Sequence, residues 1–165
     1  MNPFTWNERY SLGQPQTDSD HQALFRLAEQ LYDAVKNGAA QDQLDGYLAR
    51  LESYARFHFE DEEALMRRIG FPELAQHRQE HQEFLARLSS LESLFRSGSA
   101  HLDEATLEFL GGWLERHVCG TDQRLAQFNN AGEARSSCAK EKMGAKRGVL
   151  HHPSGISEQE HSVTK

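Results

Sequence analysis

Four stretches of this chain repeat apolar residues at helical spacing, and short glycine-marked breaks separate them. That pattern constrains the fold more than any other feature. The first stretch runs from about Asp18 to Asn37, with Leu24, Phe25, Ala28, Leu31, Tyr32 and Val35 on one stripe. Asp18 is its expected N-cap, and Asn37-Gly38 its stop. The second runs from about Asp42 to Ile69, with Leu44, Tyr47, Leu48, Leu51, Ala55, Leu65 and Met66 on one face. The third starts at Pro72 and places Leu74, Leu85, Leu88, Leu91 and Phe95 together before Gly98. The fourth starts near Asp103 and places Leu107, Leu110, Leu114, Leu125 and Phe128 together. Links this short make neighbouring helices antiparallel. The expected fold is all-α, an up-down-up-down four-helix bundle over residues 1–130. Phe4, Trp6 and Tyr10 of the N-terminal arm are expected to pack over one end. Residues 131–165 hold no aromatic residue, four Gly and five Ser, and are expected to form a flexible tail.

Each apolar seam is interrupted by groups that do not belong in a hydrocarbon core. The first has His21, the second His58 and Glu62, the third His77 and His81, and the fourth His117. One buried histidine is ordinarily satisfied by a neighbour. Five histidines and a carboxylate converging from four helices would leave one another unsatisfied, at several kcal/mol each as an order of magnitude, unless a metal joins them. His58 and Glu62, and His77 and His81, are each four residues apart, one turn on the same face. Asp122 lies five residues after His117, about 140° around an ideal helix. On spacing alone it is as compatible with a solvated surface charge as with a ligand.

Charge and composition exclude other classes. Residues 1–130 hold 12 Lys and Arg against 21 Asp and Glu, an acidic body unsuited to nucleic-acid phosphates. No run of about 18 apolar residues predicts a membrane span. The N-terminus lacks a basic region followed by an apolar one, and the two cysteines, Cys119 and Cys138, form no disulfide framework. A cytoplasmic location is expected.

His21, "HFEDE" at 58–62, "HRQEH" at 77–81 and "HVCGTD" at 117–122 resemble the bacteriohemerythrin and hemerythrin pattern. The resemblance covers about residues 4–128. It implies two iron ions per chain with an oxo or hydroxo bridge. His21 and His58 would hold one iron, and His77, His81 and His117 the other. Glu62 and Asp122 would bridge them. About twelve octahedral positions would then be filled but for one, on the iron with two histidines. Reversible dioxygen binding for storage, transport or delivery is the expected function, without catalysis. The rival expectations are an O2, iron or redox sensing module and a di-iron peroxidase or NO-handling enzyme. A client O2-requiring enzyme would be a further partner. Asp20 departs from the pattern, which often has Gln there. Leu114, Trp113 and Val118 are candidates for the wall of the O2 pocket.

Overall fold

The computed structural model describes residues 2–99 and 101–146. The chain divides into two units, Met1–Ala131 and Gly132–Lys165. The first is a four-helix bundle, with no strand among the described residues. Helix α1 spans Pro15–Lys36, α2 Gln41–Ile69, α3 Leu74–Arg96 and α4 Glu104–Arg116. The fourth arm continues through a π-helical turn, His117–Asp122, into α5, Gln123–Lys146. Helix α2 packs against α1 and α3, and α4 against α1. None of these helices is long and apolar enough to cross a membrane.

The helix ends follow local chemistry. Gly70 ends α2 at φ 68°, a left-handed conformation that costs glycine little. The Asp103 side chain accepts from the Thr106 N–H at 2.8 Å and caps α4. Two starts differ from the sequence expectation. Helix α1 begins at Pro15, and Asp18 lies inside it. The Asp18 carboxylate instead accepts from the Leu12 N–H and the Ser11 hydroxyl, both at 2.7 Å, and ties down the arm. Helix α3 begins at Leu74, after Pro72 and Glu73.

The arm is buried as expected, but along the flank of α1 and α4 rather than over one end. Phe4 and Tyr10 are buried, Tyr10 stacks on Phe25 at 4.8 Å, and Trp6 meets both rings edge-on. Gly111 lets the arm lie close to α4, because a Cβ there would stand 3.0 Å from the Pro3 Cβ. The core also differs in detail. Phe59 and Phe84 are fully buried, while Leu85 is half-buried and Phe128 exposed. The helical backbone passes residue 130 and reaches Lys146. His151, His152 and His161 lie outside the described residues.

Candidate metal centre

The seven expected residues are drawn from every arm of the bundle, and all are buried. His21 comes from α1, His58 and Glu62 from α2, and His77 and His81 from α3. His117 and Asp122 are the first and last residues of the π-helical turn. An ideal α-helix would turn Asp122 away from His117. A turn widened to i→i+5 bonding returns residue i+5 beneath residue i. The Asp122 Oδ1 accordingly lies 3.1 Å from the His117 Nε2.

Potential ligand atoms form two groups that share Glu62. One holds Glu62, His77, His81, His117 and Asp122, the other His21, His58 and Glu62, with atoms within 4.8 Å of one another in each. In the first, the His77 Nε2 lies 3.2 Å from the Glu62 Oε2 and 3.1 Å from the Asp122 Oδ1. The His81 Nε2 is 3.3 Å from the Glu62 Oε2. Asp122 also reaches towards the second group, its Oδ2 lying 3.3 Å from the His21 Nε2. The His21 and His58 rings meet edge-on at 4.8 Å. The pairs on α2 and α3 are therefore not level as pairs: Glu62 stands opposite His77 and His81, and His58 opposite His21.

These short contacts are aimed at shared space rather than at one another. Both oxygens of Glu62 and of Asp122, and both ring nitrogens of His21 and His77, lack a hydrogen bond of acceptable angle. Ligands about 2.1 Å from one ion and at right angles are about 3 Å apart, close to the spacings seen. A further pair gives the same indication. The His81 and His117 Nε2 atoms face each other at 3.0 Å. The opposite nitrogens, Nδ1, are engaged with carboxylates: His117 with Glu80 at 2.9 Å and His81 with Glu63 at 3.4 Å. With protons on Nδ1, two lone pairs confront each other, and only a proton or a cation between them relieves the repulsion.

The electrostatics show how strongly the cluster demands positive charge. Burial alone would push the His117 imidazole down. The carboxylates of Asp122 and Glu80 outweigh it and raise His117 to about 10. Burial and the Asp122 charge would raise Glu62, yet His77 and His81 bring it to about 2. Asp122 is held well below the usual carboxylate range by His117, His21 and His77 despite burial. Burial drives His58 and His81 down, so these imidazoles remain neutral donors. Imidazoles with buried carboxylates suit iron among the divalent metals, and the partnerless carboxylates here fit a resident cation.

Residues 13–128 match the hemerythrin HHE cation binding domain. The chain belongs to the hemerythrin family. It is 34% identical over 120 residues to a myohemerythrin of Riftia pachyptila, covering 73% of this chain and 88% of that one. It is 29% identical over 125 residues to a bacteriohemerythrin of Clostridium acetobutylicum, covering 73% and 96%. Among solved structures, a wild-type hemerythrin superposes with a TM-score of 0.71 at 25% identity, covering 74% of this chain and 95% of that one.

Around the donors the chain places the expected Trp113, Leu114 and Val118 together with Phe59 and Phe84, which the apolar stripes did not mark. Phe59 stacks on His81 at 3.9 Å, and Trp113 stacks on His117 at 4.4 Å and on Phe84 at 4.0 Å. Leu114 and Val118 are buried beside them. Glu80 also accepts from the Thr121 hydroxyl at 2.8 Å. The sequence signal for Glu63 and Glu80 was their position next to ligand positions, at the edge of the seam. Cys119, within the π-helical turn, is exposed.

Proposed function

We propose that this chain binds dioxygen reversibly at a pair of non-haem iron ions. One observation carries the reading: two groups of buried donors meet at a shared carboxylate, and they are unequal. His77, His81 and His117 would hold one iron, and His21 and His58 the other. Glu62 and Asp122 would bridge them. Iron held by these residues would supply the reversible redox chemistry that dioxygen binding needs.

The protein's part is to fix, shield and limit. Glu63 and Glu80 engage the Nδ1 atoms of His81 and His117 and aim Nε2 inward, the usual way an outer carboxylate orients a ligating imidazole. The ring cluster of Phe59, Phe84 and Trp113 covers the three-histidine side. Leu114 and Val118 close the apolar wall, which disfavours charged products leaving the pocket. The two-histidine side has fewer donors and therefore room for a small ligand. Five neutral imidazoles stabilise high-valent iron less than a carboxylate-rich set would, which favours binding over oxidation of a substrate.

Elemental analysis should give two irons per chain. The reduced protein should be colourless without oxygen, coloured after aeration, and colourless again when oxygen is removed. Aeration that yields free peroxide and ferric protein, with no return, would refute carriage and favour the peroxidase reading.

A further inference from the structure

A cavity of ≈ 360 Å³ opens between the first turns of α1 and the second half of α2. Gln16, Thr17, Asp20, Asp61 and Arg68 stand at its mouth, and the buried His58 and Glu62 line its inner end. It thus joins solvent to the two-histidine side of the donor cluster. The Glu62 side chain is 3% exposed, and neither oxygen has a hydrogen-bond partner. A passage serving only dioxygen would need no charge. This one has two carboxylates at the mouth and an unpartnered one at the end.

We propose that this cavity is the passage by which hydrated ferrous ion enters, with Asp20 and Asp61 drawing it in and Glu62 receiving it. The proposal rests on the reading of the cluster as an iron centre. The volume suffices: six waters at roughly 30 Å³ each occupy about 180 Å³, so a divalent ion can enter with its first hydration shell. The position of Asp20 is set by neutral donors. The Tyr54 hydroxyl donates to its Oδ1 at 3.2 Å, and the Gln16 side-chain amide at 3.2 Å. Neither neutralises it, so its charge remains available to an incoming cation. Arg68 is the opposing charge and limits the attraction. Dehydration would finish at Glu62, His58 and His21, where imidazole and carboxylate replace water. His58 and Glu62 line the cavity whereas His77, His81, His117 and Asp122 do not, so the ion bound for the three-histidine group passes the two-histidine side first.

The test measures loading rather than oxygen binding. The full chain is stripped of iron by a chelator under reducing, anaerobic conditions, then mixed with ferrous ion alone. Uptake is followed by tryptophan quenching and by iron counted in quenched samples. A charge-lined entrance raises the entry rate of a cation by about 10-fold or more at low salt. The Asp20→Asn/Asp61→Asn variant should therefore load about 10-fold more slowly at low salt and reach the same two irons. The difference should shrink at high salt, where the field is screened. Arg68→Glu should load faster than the native chain, and Thr17→Trp, which fills the mouth, should load slowly at every salt concentration. Equal rates in all four proteins, each reaching two irons, would overturn the passage and leave the iron centre standing. A native chain that never takes up two irons would overturn the centre itself. Should the double variant misfold, an unchanged rate in Arg68→Glu overturns the passage alone.

Discussion

Replacing Glu80 tests how far the three-histidine group depends on a residue that is not itself among the donors. Its Oε2 accepts from the His117 Nδ1–H at 2.9 Å and the Thr121 hydroxyl at 2.8 Å. That pair holds the His117 ring and the π-helical turn to α3. The imidazole bond chiefly lowers Glu80 to about 2, against a smaller opposing effect of burial. A hydrogen bond to a charged group contributes about 1.5–3 kcal/mol. The Glu80 side chain is 31% exposed, so solvent screening places the contribution near the low end, about 1–2 kcal/mol. At about 1.4 kcal/mol per tenfold, Glu80→Ala should weaken iron binding by roughly 5–30-fold, overlapping the range usual for outer residues at metal sites. Glu80→Gln keeps an acceptor oxygen and should lose only a few-fold. Anaerobic competition against a chromophoric ferrous chelator reads both. Native-like retention in Glu80→Ala, with an unchanged helical circular-dichroism spectrum, would refute the orienting role.

Further outcomes follow from the same geometry. In the metal-free protein the raised His117 contributes stability that is fully present below about pH 6.5 and is lost as pH rises towards about 10. Apo melting temperatures should fall across that window while the iron-loaded protein, where metal replaces the proton, holds steady; equal pH profiles would refute the substitution. Glu80 acts at the acid end: its apo contribution is present above pH 4.5 and is lost as pH falls towards about 2. Leu114→Ala removes a side chain that is 2% exposed. It should cost about 2–5 kcal/mol in denaturant titration and speed both O2 release and autoxidation, with iron content unchanged. A chain ending at Asn130 should keep both irons by elemental analysis, and loss of half or more would show that the C-terminal segment serves the centre.

The apolar periodicity of α1 to α3 and the glycines after them gave the bundle, because burial and backbone sterics act locally there. Five imidazoles and Glu62 were legible as one cluster for the same reason: each occupies a seam position. Asp122 was not legible from spacing, since the π-helical turn that places it depends on packing of the whole fourth arm. Asp18 has the chemistry of a cap, and the structure uses it as one, but for the arm rather than α1. Glu63 and Glu80 look like surface charges in the sequence. Their contacts with His81 and His117 span 18 and 37 residues, and no local pattern encodes such distances.

The wide turn also sets the phase of the last arm. Leu110, Leu114, Val118, Asp122 and Ala126 are all buried and follow one another at intervals of four. On an unbroken α-helix that series would drift about 160° round the axis in sixteen residues, carrying its far end out to solvent. One residue absorbed in the π-helical turn removes about 100° of the drift, so two rigid cylinders share one inward stripe. The segment from His117 to Asp122 thus works as a vernier. Deleting a single residue there would leave every link between helices untouched, yet rotate all that follows by about 100°. The loops can tolerate changes in length that this turn cannot.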